Sequence, residues 1–308
     1  MAASEVKVSL IVPFYGVERY IGACAESLMR QTVWPQCEFI FVDDGSKDGS
    51  LAVLQEVLAR FPERRTRIIR KENGGLPQAR LTGLQAASGT FILHVDSDDW
   101  LETDMVEQLL QAAERTDADM AYCFVMNEYG YRRRVSRDRK FVSCRDYAKA
   151  MLRFRAHGYL WNKLIRRSLF REELFYPSIG MHEDMVLSGQ VLMSGNACVQ
   201  VPVPLYHYRK NNASSISGEQ KKKRDTASAR SFLQLVSYWQ ERPQSASVQE
   251  VLPFLYAYCA WKAICYAPEL FEEYPFLREK VARVPGKAMP SIKYRYRLFR
   301  VKRWLRKH

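Results

Sequence analysis

The first 126 residues alternate between short apolar runs and longer segments with helical periodicity. The apolar runs predict strands at 6–15, 38–42, 66–70, 90–95 and 119–126. Apolar residues recur at intervals of three and four in the segments between them, which predicts helices at 18–31, 50–61, 76–87 and 102–115. Such alternation indicates βαβ units. We therefore predict an α/β, Rossmann-like fold, in which a mainly parallel sheet is flanked by helices.

Acidic residues directly follow two of the predicted strands. The run FIFVDDGSKDGS ends its strand in Asp43 and Asp44, and the run HVDSDDW continues past its strand with Asp96, Asp98 and Asp99. Parallel strands end at the same edge of a sheet, where open α/β folds bind their ligands. We therefore expect the two acidic groups to lie on one edge.

The residue types at Asp43 and Asp44 leave three interpretations open. Capping of the helix near Ser50 explains one acid, but not two acidic groups at matching strand ends. An EF-hand calcium loop fits from Asp44 onwards until Gln55, where a glutamate is needed, and a strand precedes the loop where a helix should stand. In a nucleotide site, one aspartate would accept the N–H of a base while the second group bound a metal on a diphosphate.

Asp96 and Asp98 have a spacing that lets two carboxylates bind one divalent cation. Side chains at positions i and i+2 point the same way at a strand end. Magnesium and manganese take carboxylate oxygens and complete their shell with phosphate oxygens and water. Packing like charges together is unfavourable unless a cation neutralises them. The alternative is a solvated acidic turn before the helix at 102–115.

Seven segments, in this order, resemble the family 2 glycosyltransferases, which have the GT-A fold. They are VSLIVPFYGVERYIGACAESLMRQT, FIFVDDGSKDGS, NGGLPQARLTG, GTFILHVDSDDW, WNKLIRRSLF, MHEDMVLSGQVL and PLYHYRKNNASSIS, and together they cover about residues 7–217. The resemblance implies transfer of a sugar from a nucleotide diphosphate sugar, most simply a UDP-sugar, to an acceptor hydroxyl with inversion. It also implies a manganese or magnesium ion.

The resemblance assigns donor-binding roles to residues at matching positions of this chain. The nucleobase and ribose would contact Pro13, Tyr15, Asp43 and Asp44, and the diphosphate would lie beside Lys71, Asn73, Gly74 and Arg80. The metal-binding segment would be Asp96, Ser97, Asp98 and Asp99, with Asp98 and Asp96 as ligands, Asp99 on ribose, sugar or metal, and His207 as a third ligand or a structural histidine. Gly16 and Leu81 stand where the family usually has asparagine.

A helix beginning near Glu183 is predicted by the segment MHEDMVLSGQVL. Glu183 and Asp184 fall in its first turn, where negative charge is favoured, so helix stabilisation alone could explain both. The resemblance implies that Asp184 is the general base and Glu183 its neighbour beside the acceptor. His182 is predicted to be a surface imidazole, and Trp161 either stacks on a sugar or packs in the core. The polar segment NNASSIS, residues 211–217, predicts a flexible lid.

The C-terminal segment KAMPSIKYRYRLFRVKRWLRKH contains nine Lys and Arg residues and no acid. Tyr294, Leu298, Val301 and Leu305 recur at helical intervals within it, which predicts a basic amphipathic helix on an anionic membrane surface. A solvated terminal helix is the alternative. Nucleic acid is not favoured as a partner, because no nucleic-acid-binding motif accompanies the charge. The net charge of +13 agrees with an anionic partner.

The remaining predictions concern organisation and location. The chain shows no signal-peptide pattern and no run of about 18 apolar residues, and its seven cysteines form no CxxC pair. We therefore expect a cytoplasmic protein, peripheral at the inner face of the membrane, with a glycan or lipid-linked glycan acceptor. The predicted domains are 1–217, with halves 1–126 and 127–217, and a helical region at 218–308.

Two rival functions remain open at this stage. One is a catalytically silent sugar-nucleotide-binding or scaffold protein of the same fold. The other is a nucleotidyltransferase, which would also use carboxylates and a metal. The segment PFYGVERY after the first strand carries a single glycine, so the Gly-rich phosphate loop expected of a nucleotidyltransferase is missing.

Overall fold

The computed structural model describes residues 5–177, 181–210, 221–242 and 245–307. The predicted lid at 211–217, and with it the predicted domain boundary at 217, lies outside these described residues. The chain forms two compact units. The first comprises Met1–Asp146, Tyr159–Tyr176 and Ser194–Ala213, and the second comprises Tyr147–Gly158, Pro177–Met193 and Ser214–His308.

Strands and helices alternate through the first half of the chain as predicted. The strands are β1 (Val8–Phe14), β2 (Cys37–Asp43), β3 (Thr66–Arg70), β4 (Phe91–His94), β5 (Trp100–Leu101), β6 (Met120–Glu128), β7 (Arg133–Ser136), β8 (Lys163–Arg166) and β9 (Cys198–Arg209). The helices up to β9 are α1 (Glu18–Met29), α2 (Ser50–Ala59), α3 (Leu76–Ala86), α4 (Met105–Thr116), α5 (Cys144–Leu152) and α6 (Glu183–Ser194). The helices after it are α7 (Lys221–Gln240), α8 (Ala246–Tyr266), α9 (Leu270–Glu273), α10 (Phe276–Ala282) and α11 (Ile292–Leu305).

The strands form one mixed sheet in the order β3-β2-β1-β4-β8-β6-β9-β5, with β7 paired to β6. The first four strands in this order are mutually parallel, which confirms the predicted βαβ arrangement. Strand β8 runs antiparallel to both β4 and β6, and β6 runs parallel to β9. Strands β1, β2, β4, β6 and β9 therefore all point the same way, and their carboxyl ends share one edge, called here the carboxyl edge.

Helix α3 packs closely against β1 and β2 because it has a glycine at the contact. A Cβ atom on Gly83 would collide with Cγ2 of Ile11 and lie 3.3 Å from Cγ2 of Val42. Ile11 is fully buried, and Arg80, one turn earlier on the helix, is only 2% exposed. The glycine thus sets how closely the helix that carries Arg80 approaches the sheet.

Replacing Gly83 with alanine should lower the free energy of unfolding by about 1–3 kcal/mol, because the added methyl group overpacks the contact with Ile11. Denaturant unfolding measures this change. Gly286→Ala is the matched control, since a Cβ at Gly286 would meet nothing within 4 Å. Equal stabilities of the two variants would contradict the packing argument.

The second unit is helical, as predicted for the C-terminal region. Aromatic rings pack together in this unit. Phe154, just after α5, lies 5.8 Å from Phe232 of α7 and 4.7 Å from Tyr258 of α8, and Phe254 of α8 lies 4.9 Å from Tyr294 of α11, measured between ring centroids. No helix in the described part of the chain is long and apolar enough to cross a membrane.

The apolar stripe predicted on the C-terminal helix does not face outwards. Leu298 and Val301 of α11 are buried, and Tyr294 packs on α8 through Phe254. The stripe therefore belongs to the core of the second unit, and the prediction that it lies on a membrane is wrong. Helical periodicity identified an apolar face correctly, but it could not tell whether protein or lipid covers that face.

Candidate active site at the carboxyl edge

Asp43, the last residue of β2, has one carboxylate oxygen that is still open. The side chain is buried, and Oδ1 accepts a hydrogen bond from the backbone N–H of Ser46 over 2.8 Å. Oδ2 accepts no hydrogen bond from the described residues, although Nε of Arg70 lies 3.4 Å from it. Buried polar atoms are rarely left in this state, so Oδ2 is suited to accept an N–H from a ligand.

The residues after β1 lie next to Asp43. Strand β1 pairs with β2 so that Phe14 is opposite Asp43. Pro13 is buried within β1, while Tyr15 is 50% exposed just beyond it. Gly16 has a φ of +63°, in the left-handed region that glycine and asparagine adopt more easily than other residues. The replacement of the usual asparagine by Gly16 therefore suits this backbone conformation.

Asp44 holds the loop that follows β3. Its Oδ1 accepts hydrogen bonds from Nζ of Lys71 over 2.6 Å and from the N–H of Gly74 over 3.0 Å, and its Oδ2 accepts from the N–H of Gly75 over 2.8 Å. A base- or ribose-binding role was predicted for Asp44, but these bonds direct its carboxylate to the loop. Asn73, in the same loop, is exposed. Asp44 thus positions the predicted diphosphate loop.

Arg80 connects α3 to the segment that follows β4. Its Nη2 donates to Oδ1 of Asp96 over 2.9 Å. The side chain of Arg80 is 2% exposed, so the guanidinium lies inside the protein and not on the surface of α3. A buried guanidinium depends strongly on its carboxylate partner. Arg80 therefore fixes Asp96 at the carboxyl edge, next to the position predicted for the diphosphate.

Asp99 lies inside the protein. Its Oδ2 accepts from the hydroxyl of Tyr206 over 2.9 Å and its Oδ1 from the N–H of Arg209 over 2.8 Å. Burial, and then the nearby charges of Asp98 and Asp96, raise the pKa of Asp99 well above its ordinary value. The structure therefore gives Asp99 the function of tying the loop after β4 to β9, whereas a ligand contact was predicted.

Asp96 and Asp98 are the two more exposed acids of this segment, and Ser97 between them is buried. Among the described residues, no group of three or more His, Cys, Asp or Glu side chains could hold a metal ion. Two carboxylates provide part of a shell that phosphate oxygens and water can complete for magnesium or manganese. The donor chemistry of Asp96 and Asp98 fits such an ion when it is shared with a diphosphate.

The contacts of His207 fit the structural alternative that the sequence left open for it. Its Nδ1 lies 2.8 Å from Oε1 of Glu128, and its Nε2 lies 2.8 Å from Oε1 of Glu102. The ring also stacks on Trp100, with centroids 5.0 Å apart. Both nitrogens are engaged by carboxylates in this structure, so His207 links β9 to the end of β6 and to the residue after β5.

The sequence did not reveal Tyr206 as a site residue. Its hydroxyl accepts from the N–H of Asp96 over 3.1 Å and donates to Asp99, so one buried ring orders the whole acidic loop. Trp161 stacks on it at 4.1 Å between centroids and is 2% exposed, which places Trp161 in the core. Alternation along β9 could have indicated it. Tyr206 and Tyr208, on either side of His207, lie on the face of the strand opposite to His207.

The candidate base belongs to the second unit. Helix α6 begins at Glu183 as predicted, Glu183 is buried, and Oδ1 of Asp184 accepts from the N–H of Met185 over 2.7 Å. His182 bonds Oγ of Ser228 through Nδ1 over 2.7 Å. Burial, and then the charge of Lys262, lower the pKa of His182 to about 4. His182 is therefore a structural histidine, and the prediction of a surface imidazole is wrong.

The fold and the carboxyl edge together define an α/β protein whose acidic residues gather where the parallel strands end. Residues 9–176 match glycosyl transferase family 2, and this chain belongs to that family. The family predicted from the seven sequence segments is thereby confirmed.

Two proteins of similar sequence are also named as glycosyltransferases. The chain is 35% identical over 224 residues to EpsH of Bacillus subtilis (strain 168), whose name describes it as a glycosyltransferase, and the match covers 70% of this chain and 64% of EpsH. It is 33% identical over 217 residues to glycosyltransferase GlyA of Streptococcus pneumoniae serotype 4, covering 66% of this chain and 30% of GlyA. The chain thus spans less than two thirds of the length of either relative.

Solved structures show the same fold. S. aureus TarS in complex with UDP-GlcNAc superposes with a TM-score of 0.71 at 17% identity, covering 98% of this chain and 91% of that one. A Pyrobaculum calidifontis mannosyltransferase in complex with GDP-Man and Mn²⁺ superposes with a TM-score of 0.58 at 15% identity, covering 99% of this chain and 81% of that one. These likenesses confirm the predicted GT-A fold.

Proposed function

We propose that this protein transfers a sugar from a nucleotide diphosphate sugar to a hydroxyl group of a glycan acceptor. The observation that carries the proposal is the carboxyl edge itself. It brings the open oxygen of Asp43 to the end of β2 and the half-buried pair Asp96 and Asp98 to the end of β4, with only β1 between the two strands. Family membership and structural neighbours that contain UDP-GlcNAc or GDP-Man support a sugar-nucleotide donor.

The donor is proposed to be a UDP-sugar. Oδ2 of Asp43 would accept an N–H of the base, with Tyr15 and Pro13 beside the base and ribose. Lys71 and the Gly74 backbone, which Asp44 holds in place, would lie along the diphosphate. Cationic side chains and glycine backbone suit phosphate, because they combine charge with close approach.

Asp98 and Asp96 would hold Mn²⁺ or Mg²⁺, with Arg80 keeping Asp96 in position. A bound ion would supply charge stabilisation for the leaving diphosphate. The neighbouring mannosyltransferase structure contains Mn²⁺, which supports a divalent ion in this fold.

Asp184 is proposed as the general base of an inverting transfer. It would take the proton of the acceptor hydroxyl as the new glycosidic bond forms. Its place in the first turn of α6 favours the ionised form that a base needs, because the helix N-terminus carries partial positive charge. Glu183, next to it, is proposed to contact the acceptor.

A screen of UDP-, GDP- and dTDP-sugars with Mn²⁺, read by calorimetry and by release of the free nucleotide, tests the proposed function. We expect binding and slow hydrolysis of one UDP-sugar. Binding without turnover would indicate a silent sugar-nucleotide-binding protein instead. Release of pyrophosphate in place of UDP would indicate a nucleotidyltransferase.

We also infer that the protein works at the inner face of a membrane, on a lipid-linked glycan, and that α11 contacts the membrane through a face other than the predicted one. Ile292, Tyr296 and Phe299 are 82%, 55% and 59% exposed at intervals of four and three residues. Arg303, four residues after Phe299, continues this face and is also exposed. Exposed apolar side chains among basic residues suit an anionic lipid surface.

Replacing Ile292 and Phe299 with serine should weaken binding to phosphatidylglycerol vesicles at least about tenfold, because burial of only two CH₂ groups already contributes about 1.6 kcal/mol. Co-sedimentation measures the binding, with phosphatidylcholine vesicles as the neutral reference. Val142→Ser removes another exposed apolar side chain, 71% exposed in the first unit, and should bind like the wild type. Equal binding of both variants would refute this membrane-facing role of α11.

A further inference from the structure

A strongly basic hairpin projects at the carboxyl edge. Strands β6 and β7 pair antiparallel, with Glu128 opposite Arg133, and the N–H of Tyr129 donates to the carbonyl of Arg132 over 2.8 Å across the turn. Gly130 has a φ of +74°, which permits this tight reversal. Because β6 points the same way as β1, β2 and β4, its turn lies at the edge where those strands end.

The segment 129–140, called here the basic hairpin, concentrates positive charge on the surface. It carries six bases, all exposed, and a single acid: the bases are Arg132, Arg133, Arg134, Arg137, Arg139 and Lys140, and the acid is Asp138. Two tyrosines flank the turn, Tyr131 being 89% and Tyr129 40% exposed. So many like charges repel one another unless an anionic partner neutralises them.

Glu128, where the basic hairpin begins, and the acidic segment 96–99 are both bonded to β9 and the residue after it. Glu128 accepts from His207 over 2.8 Å and from Nε of Arg133 over 3.1 Å, and its carbonyl accepts from the N–H of Lys210 over 2.9 Å. Arg209, between those two residues, donates its Nε to the carbonyl of Asp98 over 3.0 Å. The hairpin and the Asp98 segment therefore hold one another through residues 207–210.

The position of the hairpin matches an acceptor better than a donor. Arg209, which bonds the carbonyl of Asp98, is opposite Glu128 in the pairing of β6 with β9, so the hairpin turn begins near the level of the Asp98 segment and two strands away from β4. The donor phosphates already have Lys71, Arg80 and the acidic pair near β2 and β4. A second, extended anion that runs from the turn back along β7 is what the six bases can bind, because Arg137, Arg139 and Lys140 follow β7 beside the middle of β6.

We propose that the basic hairpin binds negatively charged groups, such as phosphodiesters or uronates, of an anionic glycan acceptor. The arginines pair with these groups, and the rings of Tyr129 and Tyr131 pack on the sugars, since a tyrosine ring has an apolar face and a polar rim. This inference rests on the proposed function, because it identifies the acceptor class for that reaction. It concerns a surface of the first unit alone.

Fluorescence anisotropy with labelled oligosaccharides tests the inference. The probes are a poly(glycerol phosphate) oligomer and a neutral dextran oligomer of similar length. We expect the wild type to bind the anionic probe roughly tenfold more tightly or better. The variant Arg132→Ser, Arg134→Ser, Arg137→Ser should lose most of this preference, and Tyr131→Ser should weaken binding of the anionic probe with no change in net charge.

The matched control removes three exposed bases elsewhere in the first unit: Arg60→Ser, Arg67→Ser, Arg115→Ser. It changes the net charge equally and should retain the wild-type affinity for the anionic probe within about threefold. If both triple variants lost the same affinity for the anionic probe, net charge alone would explain the loss, and the inference would be overturned. Loss of phosphatidylglycerol vesicle binding with unchanged glycan binding in the hairpin variant would also overturn it, by assigning the surface to the membrane.

Hydrolysis of sugar nucleotides by the wild type, measured separately, distinguishes failure of this inference from failure of the proposed function. A wild type that hydrolyses a UDP-sugar but binds both glycan probes equally contradicts the acceptor inference alone. A wild type that hydrolyses no sugar nucleotide, yet binds the anionic probe through the hairpin, contradicts the proposed function and supports the hairpin as a glycan-binding surface.

Discussion

Asp184→Asn should reduce sugar transfer by about 10²–10⁴-fold while leaving UDP binding within about twofold of wild type. The asparagine keeps an oxygen that can accept from the N–H of Met185, so the first turn of α6 should persist. It cannot accept a proton at neutral pH, so only the contribution of a general base is removed. Steady-state kinetics with the best donor, together with calorimetry of UDP binding, measure both quantities.

Two further variants serve as comparisons for Asp184→Asn. Glu183→Gln should reduce turnover less, because we assign Glu183 an acceptor contact and no proton transfer. Glu279→Gln neutralises an exposed acid of the same unit and should turn over like the wild type. Normal turnover in Asp184→Asn would refute the base assignment, and a parallel loss of UDP binding would indicate a structural effect instead.

Asp98→Asn should abolish the effect of Mn²⁺ on UDP binding and reduce turnover at least about 100-fold. The reason is that a neutral amide is a much poorer ligand than a carboxylate for a hard divalent cation. Calorimetry of UDP binding with and without Mn²⁺ reads the metal contribution without depending on turnover. Chelation of the metal from the wild type should reproduce the loss in the variant.

The control for Asp98 is Asp117→Asn. Asp117 lies outside the carboxyl edge, its side chain is 96% exposed, and its left-handed φ of +46° is one that asparagine tolerates. The substitution changes the net charge as Asp98→Asn does. Unchanged stimulation of UDP binding by Mn²⁺ in Asp98→Asn, or an equal loss in Asp117→Asn, would refute the proposed ligand role.

The positions of several candidate site residues could be predicted, because each depends only on where a single strand ends. Asp43 ends β2, and Asp96 and Asp98 follow β4, as the apolar runs before them indicated. The prediction that α6 begins at Glu183 likewise depended on neighbouring residues alone. These predictions depend on periodicity and on neighbours within a few residues, and they were the reliable ones.

The contacts that the sequence did not predict share one cause, which is a side chain whose partner is distant in the sequence. Asp44 bonds residues 27 to 31 positions away, Asp99 bonds residues 107 and 110 positions away, and His207 bonds a glutamate 79 positions away. A strand-end carboxylate looks the same in the sequence whether it faces a ligand or an internal donor. Only the packed sheet distinguishes the two.

The sequence by itself determined the order of strands and helices, the place of the acids at strand ends, and family membership, since apolar periodicity and chain direction encode them locally. The tertiary structure decided which acids are buried and which face of α11 is exposed. It also decided that the β6–β7 turn projects at the carboxyl edge. Burial and hydrogen-bond partners are properties of surfaces in contact, and these exist only after strands far apart in the chain have paired.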